Sequence, residues 1–303
     1  MKVAIVILNY NDFENTQKYV NDIKSYVILD NILIVDNNST YENEISKLKS
    51  LVSDKVEVIV SDKNGGYAYG NDYGLRYLDN KYGKGYFSYV IVSNPDISVT
   101  EETIKFTLKF LKSKNDAIIA SPRMYFINGP ARRSAWKIRK VSIDIANSTR
   151  FTQLLMYPIF KSGEYNKKDF QKNVLKVDAI AGSFFVADFN KFREIGFFDE
   201  NTFLFYEEDI LGKKANDKRY NIYSLNNIKF IHYDSKTIGK LMNSFKKQDI
   251  LFNSRIYFQK EYNNANKIQI LIFSVLRYIR KFELVFENII KKLIKHWLFV
   301  HLW

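Results

Sequence analysis

Four short runs, residues 3–8, 31–35, 56–60 and 87–92, hold few polar side chains, and segments with helical spacing lie between them. A strand with one face in water alternates polar and apolar residues, so runs this apolar belong in a sheet covered on both faces. Within residues 13–27, Phe13, Tyr19, Val20, Ile23 and Val27 recur at mixed three- and four-residue intervals, as on an amphipathic helix. Residues 44–52, 67–78 and 103–111 predict further helices, and 117–120 a further strand. Strand and helix in alternation predict an α/β fold with a mostly parallel sheet and right-handed crossovers. In such sheets ligands collect at the carboxyl ends of the strands.

Polar clusters stand at those ends. The run 87–92 exits into Ser93-Asn94-Pro95-Asp96, where Pro95 stops the strand and stiffens the turn that aims Asp96. Asp96 is a candidate metal or diphosphate contact, or else a cap for the helix that starts near Glu101. The second strand exits into Asp36-Asn37-Asn38-Ser39-Thr40. A carboxylate at that height accepts hydrogen bonds from a base or ribose in nucleotide folds, and it equally caps helices. The third cluster, Asn64-Gly65-Gly66 through Gly70, Asn71 and Asp72, opens a helix with glycines, which lets a ligand approach the backbone and points N–H groups at an anion. It is not the dinucleotide fingerprint, because the turn after the first strand has no glycine.

At 303 residues the chain buries a full core, and 46% hydrophobic with 16% aromatic residues excludes a disordered tail. The absence of cysteine rules out disulfides and thiolate metal sites and suits a reducing cytoplasm. The opening MKVAIVILNYND meets Asn9, Asn11 and Asp12 too soon for a signal peptide and predicts a buried first strand. A net charge of +13 calls for an acidic partner: a nucleotide, a nucleic acid or an anionic membrane. Part of it lies mid-chain in Arg132-Arg133 with Lys137, Arg139 and Lys140, and part in residues 264–303, where seven Lys and Arg face Glu283 and Glu287.

Beyond Ser121 the pattern loosens. Pro122, Gly129-Pro130, Pro158 and Gly163 predict loops and short helices over residues 121–175. Regularity returns at 177–186, where Ala181-Gly182-Ser183 in an apolar run signals a close approach by a strand or a ligand. Residues 189–195 predict a helix stopped by Gly196-Phe197-Phe198-Asp199. Then Phe203-Leu204-Phe205-Tyr206 leads into Glu207-Glu208-Asp209, three carboxylates at a helix start. The helix dipole accounts for part of that pattern. Aromatic neighbours and like charges also raise a carboxyl pKa toward the range a general base needs.

In order, Val3 through Asn11, Val35-Asp36-Asn37-Asn38-Ser39, Asn64 through Asn71, Asn94-Pro95-Asp96, Gly182-Ser183-Phe184-Phe185 and Gly196 through Glu208 resemble the motif set of family 2 glycosyltransferases, in the rhamnosyltransferase-like branch. The resemblance covers about residues 1–262. It implies a GT-A fold, a nucleotide-sugar donor, an inverting displacement and a divalent cation, Mn2+ or Mg2+. The implied donor site is lined by Asn9, Tyr10, Asn11, Asp36, Asn38, Asn64, Gly65, Gly66, Asn71, Asn94, Asp96 and Gly182, with Asp36 at the nucleobase. Asp96 matches the last residue of the family's Asp-x-Asp element, and His232 matches a histidine that completes the metal site. A single histidine on a strand, taken alone, is more often a core residue. Glu207-Glu208 match a Glu-Asp pair whose second member is the base, and Asp209 adds a third acid. The chain departs from the branch at Ala187-Asp188, where two arginines are common.

The implied division is a catalytic domain over residues 1–262, its nucleotide-binding part about 1–120 and its acceptor-side part about 121–262, followed by an amphipathic basic helical segment over 263–303. In that segment Ile268, Leu271, Ile272, Val275, Leu276, Ile279, Leu284, Phe286, Ile289, Ile290, Leu293 and Ile294 form one apolar face, interrupted by basic residues and ending in Trp297-Leu298-Phe299 and Leu302-Trp303. No uncharged run there is long enough to span a bilayer, so the expectation is a cytoplasmic enzyme, peripheral on the inner face of the cell membrane, unless the face packs on protein or a second copy. Rhamnose from dTDP-rhamnose is the branch's commonest donor, with UDP-hexoses or UDP-furanoses as alternatives, and a glycan, lipid-linked or not, is the acceptor. A nucleic-acid-binding protein would not place carboxylates at the strand exits, where they repel phosphates. A non-catalytic subunit of the same fold is the other reading. A nucleotidyltransferase would need an early basic phosphate loop, which is missing.

Overall fold

Parallel pairing joins β1 (Val3–Asn9) to β2 (Asn31–Asp36) and to β4 (Tyr89–Ser93), and joins β2 to β3 (Val56–Val60). In this computed structural model, which describes residues 1–127, 129–160, 164–233 and 243–301, side chains are described except at 157–160 and 291–301. Beyond β4 the sheet changes sense. β10 (Phe184–Asp188) enters antiparallel between β4 and β6 (Ala117–Phe126), and β11 (Asn221–His232) runs parallel to β6. The short β5 (Ile97–Ser98) and β8 (Val174–Val177) pair antiparallel with β11, completing a nine-stranded sheet. β7 (Ala135–Trp136) and β9 (Ala179–Ile180) form a separate two-stranded ribbon.

Both faces of the sheet are covered, as its apolar runs require. Ala4, Val6, Leu33, Val35, Val90 and Val92 pack on one side with α3 (Gly66–Tyr82) and with the aromatic group Phe185, Phe192, Phe197 and Phe198. Val3, Ile5, Ile7, Ile32, Ile34 and Ile91 pack on the other with α1 (Phe13–Ile23) and α4 (Glu101–Lys112). Neighbours along each strand alternate between the two cores, the period-2 geometry of a pleated strand. α4 begins at a Thr100 cap whose side chain accepts from Thr103 N–H, so Asp96 does not cap it.

Several boundaries differ from expectation for identifiable reasons. α1 stops at Ile23, and Val27, counted toward its stripe, is 88% exposed. The expected regular run 177–186 divides into β8, β9 and β10, with Ala181-Gly182-Ser183 as the break. β6 continues through Pro122 to Phe126 where loops were expected. Proline is tolerated there because the pairing with β11 is irregular, its register jumping from Leu225 to Lys229. Gly163, Leu302 and Trp303 lie outside the described residues, and Trp297, Leu298 and Phe299 outside the described side chains.

The chain forms two compact units, Met1–Ile138 with Tyr165–Thr237, and Arg139–Glu164 with Ile238–Trp303. The first contains the sheet together with α2 (Glu44–Lys49), α7 (Phe189–Glu194) and α8 (Glu207–Asp217). The second contains α5 (Val141–Ala146), α6 (Arg150–Phe160), α9 (Ser244–Glu261) and α10 (Lys267–His301). It is built round a buried acid: Asp144 accepts from Gln259 Nε2 at 2.8 Å and stands 3.5 Å from Arg255 and 3.7 Å from Arg139.

One polar network ties β3 to β2 and α3. Glu57 accepts from Asn31 Nδ2 at 2.7 Å, Tyr77 Oη at 2.8 Å and Lys81 Nζ at 2.5 Å, and from the Tyr82 hydroxyl. Partial burial pushes its pKa up, but those four donors outweigh burial and hold it at about 2. Because the folded pKa is depressed, the stabilisation is complete above the ordinary carboxyl range and fades as pH falls toward 2. Glu57→Gln should therefore cost roughly 1–2 kcal/mol at neutral pH after solvent screening. In denaturant titrations the gap between the two proteins should close on acidification, and a gap independent of pH would refute the network's role.

Candidate active site

The antiparallel entry of β10 decides where the site forms. Its first residue, Phe184, pairs with Ser93 at the end of β4, so the segment before β10 lies beside the exit of β4. Asn94 N–H donates to Ser183 O at 2.9 Å and fixes that contact. Two residues on, Asp96 is buried, and its carbonyl accepts from Tyr233 N–H at 2.9 Å. Ile97 pairs with His232 across β5 and β11, and this register brings His232 Nε2 to 3.2 Å from Asp96 Oδ1. On the other side of the ring, Arg132 Nη1 stands 3.1 Å from Nδ1. A guanidinium only donates, so Nδ1 accepts and the ring hydrogen lies on Nε2, which stands 3.2 Å from Asp96 Oδ1 but makes no hydrogen bond among the described residues.

Gly182 is held from both sides. Its N–H donates to Glu208 Oε1 at 3.0 Å, and its carbonyl accepts from Tyr67 Oη at 2.6 Å. A Cβ here would lie 2.7 Å from Tyr67 Oη and 3.1 Å from Glu208 Oε1, which explains the small residue in an apolar run. Burial first, then the charges of Glu208 and Glu207, push the Tyr67 hydroxyl well above its usual range, so it stays protonated and donates.

Glu208 reaches Gly182 through a sharp turn before α8. Phe205 and Tyr206 are left-handed, with φ of 73° and 69°, a conformation costing about 1–3 kcal/mol for each bulky residue. The turn presents Phe203 O to Tyr67 N–H at 3.0 Å, against Gly66, whose φ is +90° and whose Cβ would lie 1.8 Å from that oxygen. The start of α3 and the start of α8 are thus locked together. The same bonds overturn the anion cradle expected at this helix start: Gly65 N–H donates to Lys63 O, Gly66 N–H to Asn64 Oδ1, and Tyr67 N–H to Phe203 O.

The three acids of α8 have different surroundings. Glu207 is buried, and its Oε2 has no hydrogen-bond partner among the described residues. Burial, then the charge of Glu208, push its pKa well above the ordinary carboxyl range. Glu208 is half-buried; burial raises its pKa too, but the Gly182 N–H favours its charged form. Of the two, Glu208 alone has, among the described residues, a backbone N–H from outside the helix, that of Gly182, to favour its charged form. Asp209 accepts from Trp136 Nε1 at 3.2 Å, which turns it toward the β7–β9 ribbon.

The exits of β1 and β2 form an adjoining rim. Asp36 is fully buried, accepting from Asn9 Nδ2 at 2.9 Å, Ser39 Oγ at 2.6 Å and Ser39 N–H at 3.0 Å. Its carboxylate faces its own loop, so contact with a base requires Ser39 to swing away. Asn11 is left-handed and holds the loop opposite, accepting from Thr40 and Tyr41 N–H. Tyr10 is half-buried beside it, and Asn38 is exposed. Asn37 bridges to the third cluster, donating to Asn64 Oδ1 at 3.1 Å and Gly66 O at 3.0 Å. Asn71 is fully buried, its amide donating to Tyr67 O. Asn37, Tyr67, Trp136 and Arg132 are contributors absent from the candidate set. Asn37 and Tyr67 lie within the quoted motifs; no spacing signalled Trp136 or the pairing of Arg132 with His232.

No group of three or more His, Cys, Asp or Glu converges as a metal site among the described residues. Asp96 suits a hard cation directly, whereas His232 suits one only once Nε2 loses its hydrogen and Arg132 releases Nδ1.

The model of the family described as Glycosyl transferase family 2 matches residues 4–196. The chain belongs to that family. It is 28% identical over 235 residues to the low-salt glycan biosynthesis hexosyltransferase Agl10 of Haloferax volcanii, a match spanning 76% of this chain and 66% of that protein. In fold it is similar to GalNAc-T7, described with UDP, GalNAc and Mn2+, at a TM-score of 0.58 and 16% identity over 77% of this chain and 44% of that one. It is also similar to the mannosyltransferase PcManGT of Pyrobaculum calidifontis, described with GDP-Man and Mn2+, at 0.54 and 12% over 91% and 69%. The mixed α/β sheet is the GT-A fold of these structures.

Gly66→Ala should open the turn that seats Glu208. A cost of at least about 2–3 kcal/mol is expected, from left-handed strain plus the collision with Phe203 O. Gly83→Ala, at φ +84° and ψ 163° with nothing within 4 Å among the described residues, should cost only the backbone strain, about 1–3 kcal/mol, and less than Gly66→Ala. Equal losses in chemical denaturation would show that the Phe203 contact does not matter.

Proposed function

We propose that the chain transfers a sugar from a nucleotide-diphosphate donor to an acceptor hydroxyl with inversion at the anomeric carbon, and that Glu208 is the base. The observation that carries this is the seat of Glu208, half-buried on Gly182 beside the exit of β4, with the buried Glu207 next to it. The acceptor oxygen bonds to the anomeric carbon as the bond to the diphosphate oxygen breaks. The bonding pair leaves with the nucleoside diphosphate, and the hydroxyl proton passes to Glu208. Its raised pKa makes Glu208 a better proton acceptor than an exposed glutamate. Asp209, bonded to Trp136, and Glu207, buried, are the weaker candidates.

A bound Mn2+ or Mg2+ would supply positive charge for the departing diphosphate. Asp96 would hold it, with His232 as a nitrogen ligand after Arg132 lets go. Family membership supports the donor class, and the Haloferax volcanii relative, named as a glycan biosynthesis hexosyltransferase, supports a hexose and a glycan acceptor. The finer reading is rhamnose from dTDP-rhamnose, passed to a lipid-linked glycan in cell-surface polysaccharide synthesis, with UDP-hexoses as rivals. It rests on the motif set alone. A screen of nucleotide sugars for diphosphate release by purified protein decides between them. Release from none of them, with acceptor glycans present, would favour a non-catalytic subunit.

Glu208→Gln should lower turnover by about two orders of magnitude or more, leave nucleotide affinity nearly intact and abolish the rise of activity with pH. Near-normal turnover in that variant, with a dead Asp209→Asn protein, would move the base to Asp209.

Asp96→Asn should remove the metal dependence of nucleotide affinity along with turnover. Calorimetric titration of nucleoside diphosphate with and without Mn2+ reads this directly. Metal-enhanced binding that survives the substitution would sink the assignment.

A further inference from the structure

α10 has two apolar faces. One packs inside its own unit: Phe273, Leu276 and Leu284 are buried, while Arg277 and Lys281 pair with Asp249 of α9 at 2.7 and 2.8 Å, and Glu283 accepts the Arg150 and Phe151 N–H groups that begin α6. The other face is bare. Ile268, Leu271, Val275, Phe282, Phe286 and Ile289 are 71%, 64%, 51%, 76%, 64% and 48% exposed. Spaced by three, four and seven residues, they form one stripe roughly 30 Å long at about 1.5 Å per residue. Soluble surfaces rarely carry so long a contiguous apolar patch without a partner.

The charge of this unit says what covers it. Residues 139–164 and 238–303 hold sixteen Lys and Arg against six Asp and Glu, an excess of ten in a chain whose total is +13. A second copy of the chain would bring the same excess against it, so self-association through this face sets like charges together. An anionic lipid surface satisfies both features, the acyl boundary taking the stripe and the headgroups taking the basic residues. Among the described residues no helix is long and apolar enough to cross a membrane, so the helix lies along the surface.

We propose that α10 docks the protein on anionic membranes by inserting the stripe through Ile268, Leu271, Val275, Phe282, Phe286 and Ile289 into the interface. This reading is independent of the glycosyltransferase proposal, because its test measures binding alone. Full-length protein should float with phosphatidylglycerol vesicles at low salt, float less at high salt, and float weakly with phosphatidylcholine vesicles. Phe282→Ser with Phe286→Ser, both exposed and outside the packed face, should weaken binding to phosphatidylglycerol vesicles roughly tenfold or more. The helical circular dichroism of that variant should match wild type. Wild-type protein that stays in solution with phosphatidylglycerol vesicles, elutes as a dimer that the double substitution dissociates, or floats equally well after the substitution overturns the proposal.

Discussion

The insertion of β10, antiparallel, between β4 and β6 is the constraint on which the site depends. In a purely parallel sheet the carboxyl edge gathers only loops that follow strands. Reversing one central strand adds a segment that precedes one, and here that segment is Gly182-Ser183. A backbone bond then joins Ser183 to Asn94, and the Gly182 N–H holds the Glu208 carboxylate, so a strand exit and a distant helix start meet on one short stretch of chain. On the Gly182-Ser183 side the contacts are all made by main-chain groups, which have no rotamer freedom.

Electrostatics follow from that packing. Three acids in the first turn of α8 would repel if all were charged and exposed alike. Burial pushes the Glu207 pKa up, the Gly182 N–H favours the charged form of Glu208, and the Trp136 indole donates to Asp209. The helix dipole adds a modest bias toward charge at this end, typically below 1 kcal/mol. The left-handed Phe205 and Tyr206 are tolerated because Phe203 O, Tyr67 and Gly66 over-determine the turn.

The second unit follows a different logic. It has a buried polar centre at Asp144, a packed face on α10 secured by ion pairs to α9, and most of the chain's excess positive charge. Its bare stripe is spaced as regularly as the packed one, so helical periodicity could not tell which face is buried. The sequence pattern merged them, counting buried Leu276 and Leu284 together with exposed Leu271 and Phe286.

The order of the longer strands and helices through residue 120 was legible because fully apolar runs leave few alternatives, and the residues at each exit followed from the carboxyl-edge rule, while the two-residue β5 was too short to leave a pattern. The sequence by itself determined that Asp36, Asp96 and Glu208 lie at or beside element ends, where polar side chains interrupt the apolar runs. Tertiary structure decided everything that depends on which ends are neighbours. Only the register of β5 on β11 brings His232 to Asp96, only the left-handed turn at Phe205 and Tyr206 carries Glu208 to Gly182, and only the folded loop bonds the Asp36 carboxylate to Ser39 and Asn9. Pattern along a chain records which residues avoid water. It does not record long-range register, since a one-residue slip leaves composition and periodicity unchanged while moving every side chain to the opposite face.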